Sequence, residues 1–248
     1  FEDRVAVVVP KSDRNYIRIY TLHLDGTDLK KEVSIPGIMW VNDLYFLSSD
    51  SLLFIGIDTI GIQNLYMYSL SSEKTYRLTS AIFAKSDPGI IPGLGIAYIV
   101  SGGYKDMHYF ITNEGGRAHH WYTNDESFID QWIADSSWVV LQALQADGIP
   151  YLLFWKPGSN YAFRYYYGDR VFLEDGSSKF VRYPLIDQLM GFTKTGEVIL
   201  HEAQSQGAPH GRFVTITIDT ARLTKVPMFE KEEIHFYPVL SCSSVLLK

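Results

Sequence analysis

The stretch NLYMYSLSSEKTYRLT, residues 64–79, decides the fold that the sequence predicts. Apolar and polar residues alternate on both sides of a polar Ser-Ser-Glu-Lys segment, which is the pattern of a two-stranded hairpin with one buried face. An isolated hairpin is at best marginally stable in water. The rest of the chain must therefore supply the strands that cover it.

Four other segments repeat this pattern: a strand rich in Tyr, Phe, Ile or Val, a turn of small or polar residues, and a second short strand. Each copy follows another predicted hairpin. No segment long enough to form a helix shows helical periodicity. Such a repeat of four short strands is typical of the radial sheets, or blades, of a β-propeller. The additional copies are residues 16–35, 106–123, 150–167 and 211–227, and the preceding hairpins are 42–58, 87–103, 129–144 and 186–203.

The number of blades follows from the residues at the head of each first strand. These residues are 43 to 57 positions apart, and the same spacing holds when the count continues through the two termini. The sequence therefore predicts an all-β fold, a five-bladed β-propeller of four-stranded antiparallel blades formed by residues 1–248 as a single domain. The strand-head residues are Asp43, Asp87, Asp130, Asp187 and His235.

Closure of the predicted ring requires both ends of the chain. Residues 234–248, IHFYPVLSCSSVLLK, open a blade that the chain ends before completing, so we expect residues 234–241 to pair in the blade that contains 16–24. Such closure removes the exposed edge of an open array. The second strand of this shared blade has two candidates, residues 4–9 and 244–248, and the sequence does not choose between them.

These repeats resemble those of TolB-like and WD-like β-propellers. In TolB-like repeats a strand that ends in a Leu-containing step is followed by a short turn and an x-Arg-Leu-Thr strand, as in the opening stretch and in RLTKV (222–226). The resemblance is clearest over 42–79 and 211–227, whereas the first hairpins lack the Trp-Ser-Pro-Asp-Gly turn of the family. It implies a binding platform or an appendage of a peptidase, located in the periplasm or outside the cell, without excluding the cytoplasm.

The strand-head residues have two interpretations. In a propeller the first strands line the central channel, so four aspartates and His235 would form an acidic collar at one channel mouth. As a ligand site, the aspartates would hold a polyhydroxy ligand or Ca²⁺, which takes roughly six to eight oxygens. As a structural feature, each Asp would cap the turn that precedes its strand. Both interpretations stay open, and no other cofactor is predicted.

The collar face is the end of the predicted propeller that carries the strand heads and the longer loops. Trp40, Tyr104 and His210 lie in those loops, and loops on a rigid scaffold are where binding residues accumulate. The opposite face has short turns such as SSDS, SSEK and TKTG. We therefore expect a non-catalytic platform whose collar face binds a protein, a peptide or another ligand.

A sugar-directed propeller, either a glycoside hydrolase or a lectin, is the alternative function. Five-bladed glycosidases of the arabinanase type place three carboxylates at the channel mouth, and two carboxyls across the scissile bond are the minimum for the reaction. The strand-head aspartates together with Glu202 and Glu126 are candidates for this set. Those enzymes carry an Asp on their first blade, where this chain has VAVVVPKS (5–12).

Composition excludes several classes of function. The net charge of −6 gives no reason to expect nucleic acid, and no apolar run approaches the roughly 18–20 residues that a transmembrane helix needs. Cys242 is the single cysteine, so an intrachain disulfide is excluded. His119 and His120 are neighbours on a predicted strand and point to opposite faces, so they predict no metal site. Because the chain begins with Phe1 and not Met, we expect either a mature form or an expressed fragment, from which any signal peptide has already been removed.

Overall fold

A computed structural model gives the architecture. It is all-β, and within the described residues the single helical element is a 3₁₀ turn at Thr220–Arg222. The residues that the structure describes are 4–10, 12, 14–23, 26–79, 84–101, 106–111, 118–123, 128–144, 150–166, 169–172, 178–182, 186–202 and 211–233.

The strands are, in chain order, β1 (Arg4–Pro10), β2 (Asn15–His23), β3 (Gly26–Val33), β4 (Ile38–Phe46), β5 (Ser51–Asp58), β6 (Gln63–Ser69), β7 (Thr75–Arg77), β8 (Ala84–Ile91), β9 (Gly95–Ser101), β10 (Asp106–Ile111), β11 (Ala118–Tyr122), β12 (Phe128–Ala134), β13 (Val139–Leu144), β14 (Pro150–Trp155), β15 (Tyr161–Tyr166), β16 (Asp169–Phe172), β17 (Ser178–Arg182), β18 (Ile186–Phe192), β19 (Val198–Glu202), β20 (Arg212–Ile216), β21 (Thr224–Pro227) and β22 (Phe229–Glu233).

These strands form five antiparallel sheets and a short ribbon. The first sheet has the order β1-β2-β3, the second β4-β5-β6-β7, the third β8-β9-β10-β11-β22, the fourth β12-β13-β14-β15-β21, and the fifth β18-β19-β20. The ribbon pairs β16 with β17 in the long connection between the fourth and fifth sheets. Successive hairpins therefore build each sheet outward from its first strand, as the repeat predicted.

The sheets pack face to face in chain order, and one buried cluster lies between each neighbouring pair. Ile17 and Ile19 of the first sheet pack with Phe54 of the second, and Leu53 of the second packs in one cluster with Tyr98 of the third. Corresponding clusters join the third sheet to the fourth and the fourth to the fifth. A strand covered on both faces must be apolar throughout, which explains why β5 reads SLLFIGID and β6 reads QNLYMYS.

The structure shows which of the two candidate segments forms the second strand of the blade that contains residues 16–24. β1 pairs with β2 from Arg4↔Thr21 to Pro10↔Asn15, so residues 4–10 rather than 244–248 hold the place beside β2. The predicted closing segment, 234–248, lies outside the described residues. The eight hairpins predicted within residues 16–203 are all paired as expected, including the opening stretch, in which β6 pairs with β7.

The fifth predicted hairpin copy, 211–227, is wrong. β20 pairs with β19, but β21 leaves the fifth sheet and pairs with β15 of the fourth, and β22 pairs with β11 of the third. We call residues 224–233 the strap. The 3₁₀ turn redirects the chain at this point, because the Asp219 side chain accepts a hydrogen bond from the Ala221 N–H at 3.2 Å and caps the turn.

Burial of apolar side chains explains the position of the strap. Val226 and Met228 are buried in the cluster shared by the third and fourth sheets, together with Trp155. The Met228 N–H also donates to the Asn160 carbonyl at 2.9 Å. Burial of these two side chains and the backbone ladder of β21 and β22 outweigh the local hairpin that the repeat pattern favoured.

Candidate functional site

The four predicted strand-head aspartates share one structural feature, which is a β-bulge in the first strand of a sheet. In β4 the bulge lies between Asn42 and Tyr45, and in β8 it lies between Ser86 and Gly89. The register of β12 skips Asp130, and that of β18 skips Asp187. The aspartates therefore lie at bulges in β4, β8, β12 and β18, which we call the inner strands because each is the first strand of its sheet, and Asp187 is the second residue of β18. This corrects the predicted position of Asp43 and Asp87, which are the sixth residue of β4 and the fourth of β8; turn capping by the aspartates stays a prediction.

The backbone at two of these bulges explains why the residue is Asp. Asp43 has a φ of 47° and Asp87 a φ of 46°, in the left-handed region that most L residues avoid. Asp and Asn enter this region several times more often than other non-glycine residues, because their short polar side chains bond to nearby backbone. Backbone conformation therefore explains the presence of Asp at the bulges of β4 and β8.

Hydrogen bonds connect each inner strand to the next around the bulges. The Asp87 N–H donates to Asp43 Oδ2 at 3.3 Å, which joins β8 to β4. The Trp132 indole N–H donates to the Asp87 carbonyl at 2.8 Å, which joins β12 to β8. The Leu189 N–H donates to Gln131 Oε1 at 2.8 Å, which joins β18 to β12. Each of these bonds joins one backbone group of an inner strand to a side chain of the neighbouring inner strand.

Close packing accompanies the link between β8 and β12. A Cβ on Gly89 would lie 2.8 Å from Cη2 of Trp132, closer than carbon atoms approach. Gly89 therefore makes room for the indole that bonds to the bulge beside it. Trp132 and Gln131 were not singled out from the sequence, although each follows a strand-head Asp by one or two residues, which was the available signal.

The environment of Asp43 shifts the pKa of its carboxyl. Its side chain is accessible to solvent, yet removal of water by the surrounding protein raises its pKa, and the Asp87 N–H that it accepts opposes this shift only in part. Asp43 is therefore a carboxyl that holds its proton more readily than a surface aspartate.

The other predicted site residues are distributed as follows. Trp40 lies on β4, three residues before Asp43, and is 38% exposed. Asp130 and Asp187 lie at their bulges, and the structure defines their backbone. Tyr104, His210 and His235 lie outside the described residues, as does Glu126.

Two further candidates have structural partners. Glu202 is buried at the end of β19 and forms an ion pair with Arg212, which leaves its carboxylate little freedom to act on a substrate. His119 pairs with Glu230 of the strap. Within the described part of the chain, no group of three or more His, Cys, Asp or Glu residues has the arrangement of a metal site.

The comparison with known proteins supports the fold. No protein-family model matches the chain, and no curated protein sequence matches it. Among solved structures, TolB from Acinetobacter baumannii matches with a TM-score of 0.62 and 14% sequence identity. The fold is TolB-like. The match covers 91% of this chain and 51% of the TolB chain, so this chain spans about half the length of that protein.

The TolB-like similarity is one of architecture, since an identity of 14% does not transfer chemistry. It agrees with the TolB-like repeat seen in the opening stretch. In the segments that the structure describes, no helix is long and apolar enough to cross a membrane.

Proposed function

We propose that the chain is a five-bladed β-propeller that binds a protein or peptide partner at its collar face and catalyses no reaction. The observation that carries this proposal is the series of hydrogen bonds that joins β4, β8, β12 and β18 around their bulges. This series links the bulge regions of the second, third, fourth and fifth sheets in chain order. A ring of such strands around an axis would bring all four aspartates to one channel.

The two outermost sheets support closure of the ring. Phe213 of the fifth sheet is 69% exposed, and Val5, Val7 and Leu29 on one face of the first sheet are 37%, 38% and 52% exposed. A stack of five sheets leaves two such apolar faces, and a closed ring would bury one against the other. In this proposal residues 234–241 supply the inner strand beside β1.

The position of the strap requires a long crossing of the chain if the ring is to close. Glu233 ends β22 at the outer edge of the third sheet, so the closing segment would have to cross to the first sheet. Deletion of residues 234–248 tests it. If those residues complete the ring, the truncated protein will aggregate or lose its cooperative melting transition, because β1 becomes an open edge. A soluble truncation that melts cooperatively at the wild-type temperature would contradict closure.

The binding role rests on accessible groups held on rigid strands. Asp43 and Trp40 lie on β4 and are both accessible, and Asp87 lies on the adjoining strand. Strands hold such groups in fixed positions, which lowers the entropic cost of binding. We place Asp130, Asp187, His235, Tyr104 and His210 on the same face, and the fold favours an extracytoplasmic location by analogy with TolB-like propellers.

The test compares two variants in affinity capture from an extract of the source organism. The collar variant carries Trp40→Ala, Asp43→Asn and Asp87→Asn, and the control carries Glu73→Gln and Lys74→Gln on a turn of the opposite face. Both should melt within a few degrees of the wild type. The collar variant should lose a partner that the control retains. Loss in the control alone would place binding on the opposite face and refute the proposal.

A sugar-directed function is the second candidate, and the raised pKa of Asp43 favours it. A glycosidase needs one carboxyl that stays protonated and a second that is ionised, and Asp43 lies next to Asp87. Hydrolysis of arabinan, xylan or fructan that Asp43→Asn abolishes without lowering the melting temperature would support it. A calcium-dependent rise in melting temperature, lost in the Asp43→Asn, Asp130→Asn double variant, would instead support a Ca²⁺ site.

A further inference from the structure

Tyr66 and Arg77 are direct neighbours on the two outer strands of the second sheet. β6 pairs with β7, and in this register Tyr66 lies opposite Arg77, so their side chains share one face of the sheet. Asn64 lies two residues before Tyr66 on β6 and therefore shares that face. The face packs against the first sheet, because Tyr66 belongs to the same buried cluster as Ile17.

The ring of Tyr66 is held in one position. It stacks on Phe54, with the ring centroids 5.6 Å apart and an interplanar angle of 13°. A Cβ on Gly56 would lie 2.8 Å from Tyr66 Cδ2, so only glycine leaves room for the ring there. Tyr66 is 6% exposed, whereas Arg77 is exposed. The hydroxyl is therefore a fixed group beside a guanidinium that reaches solvent.

A buried network fixes the amide group of Asn64, which is 0% exposed. The Leu65 N–H donates to Thr79 Oγ1 at 3.0 Å, and the Thr79 hydroxyl donates to Asn64 Oδ1 at 3.0 Å. Because its oxygen is bound, the amide directs Nδ2 away from Thr79, and among the described residues this donor has no hydrogen-bond partner. A buried donor without a partner costs stability, so an acceptor from elsewhere would be favourable at this point.

The Tyr66 hydroxyl and Arg77 complete a group of donors. Burial raises the pKa of the hydroxyl, and Arg77 and Asn64 oppose this shift because both lie beside it. The hydroxyl therefore keeps its hydrogen at neutral pH and can donate it. Within the part of the chain that the structure describes, Arg77 forms no ion pair. A guanidinium, a hydroxyl and an amide N–H together match an anion.

The second copy of the RLT signature (222–224) does not form this group. Arg222 takes the place of Arg77 in that copy, but it pairs with Asp219 in the 3₁₀ turn at 3.2 Å. Thr224, in the place of Thr79, lies on β21 and pairs with β15. Arg222 is exposed, like Arg77. Arg222 is therefore a matched control within the same chain.

We propose that Arg77 and Tyr66 bind a carboxylate of the partner, with Asn64 as the buried donor behind them. This inference rests on the proposed binding of a protein or peptide at the collar face, to which the end of the second sheet where β6 begins belongs. The planar guanidinium would donate to both carboxylate oxygens and the hydroxyl to one of them. Asp58 lies close enough to raise the pKa of Tyr66, and its charge disfavours a phosphate, which is more highly charged.

The sequence around the site favours a separate partner as the source of the carboxylate. Residues 80–83, SAIF, follow the RLT signature of the second sheet directly and contain no Asp or Glu, and neither does the segment 234–248. A second copy is disfavoured because each chain carries a net charge of −6. The partner would offer either an acidic side chain or its C-terminal carboxylate.

The test is binding of capped peptides to the full chain, followed through the backbone amide signals of residues 64–79 in NMR spectra. Acetyl-Gly-Asp-Gly-amide offers a side-chain carboxylate, acetyl-Gly-Gly-Gly a C-terminal carboxylate, and acetyl-Gly-Asn-Gly-amide neither. We expect saturable shifts at millimolar concentration with at least one carboxylate peptide, which identifies the group that the partner supplies, and none with the asparagine peptide. Tyr66→Phe should weaken binding by about tenfold. Arg77→Gln should abolish it, and Arg222→Gln should leave it unchanged.

Several results would overturn the proposal. Equal shifts from the aspartate and asparagine peptides, or no saturable shift from either carboxylate peptide, would show that the site selects no carboxylate. Stronger binding of inorganic phosphate would show a site for another anion. If Arg77→Gln clearly lowers the melting temperature of a monomer, a carboxylate of this chain already binds Arg77, and if it dissociates a dimer, a second copy supplies the carboxylate. Peptide binding by a protein that captures no partner would refute the proposed function alone, so the two failures are distinguishable.

Discussion

The inner and outer edges of the sheets satisfy their backbone groups in different ways. At the inner edges, side chains and single backbone groups cross from one sheet to the next, as where the Asp87 N–H meets Asp43 Oδ2. At the outer edges of the third and fourth sheets, the strap adds a whole strand to each and buries Val226 and Met228. The inner arrangement leaves a carboxyl accessible, whereas the outer arrangement excludes water. Binding is therefore expected at the inner edges, and stability is expected to depend more on the outer ones.

The largest effect should come from the strap. Met228→Ala removes a side chain that is 5% exposed and leaves a cavity between the third and fourth sheets. The free energy of unfolding should fall by about 2–5 kcal/mol. Met190→Ala on β18 is the matched control, because Met190 is 47% exposed, and it should change stability by less than about 0.5 kcal/mol. Equal effects in urea unfolding would show that the strap does not contribute to the core.

The conformational role of the inner bulges gives the next effect. Asp43→Ala places an ordinary side chain at a φ of 47° and removes the acceptor of the Asp87 N–H. The expected loss of stability is about 1–2 kcal/mol. Asp43→Gly should relieve the strain and Asp43→Asn should keep both features, so each should lose less than alanine. If asparagine were as damaging as alanine, the negative charge rather than the backbone would explain the residue.

The link between β12 and β8 should contribute less. Trp132→Phe keeps an aromatic ring near Gly89 but cannot donate to the Asp87 carbonyl. We expect the free energy of unfolding to fall by about 0.5–1.5 kcal/mol, the usual net value of one hydrogen bond. Trp40→Phe, at the accessible end of β4, serves as the control and should be nearly neutral. A neutral Trp132→Phe would show that the inner strands are held by packing alone.

The hairpins of the sheets could be predicted from the sequence because the residues that determine each hairpin are close together in the chain. In the opening stretch, alternation and a polar turn lie within 16 consecutive residues, and the structure pairs β6 with β7 there. The strap could not be predicted in this way. Its RLT signature matches the repeat, and the preference for β15 depends on a buried cluster formed by residues such as Trp155, far away in the sequence. Long-range burial overrode a local pattern.

The sequence identified which aspartates are equivalent in the repeat, but it did not give their place within the strands or their backbone conformation. The repeat count selected Asp43 and Asp87, and the structure places them side by side. A count of residues shows only which positions are equivalent, so it could not show that these positions are bulges with positive φ. Trp132 and Gln131 were missed for a related reason, since their role depends on the adjacent sheet and not on their own repeat.

The smallest effect is the pH dependence of stability, and it sharpens the comparison at the inner edge. Because burial raises the pKa of Asp43 above its unfolded value of about 3.9, its contribution to stability is fully present below that value and is lost as pH rises through the folded pKa. Asp43→Asn should therefore match the wild type near pH 3.5 and become relatively more stable towards pH 7. Glu73→Gln should show the opposite sign, since Lys31 lowers the pKa of Glu73 and the benefit of that pair is lost as pH falls. Melting temperatures of the wild type and the two variants from pH 3.5 to 7 test whether burial raises the pKa of Asp43. An Asp43→Asn profile parallel to that of the wild type would show that Asp43 is solvated like any surface carboxylate.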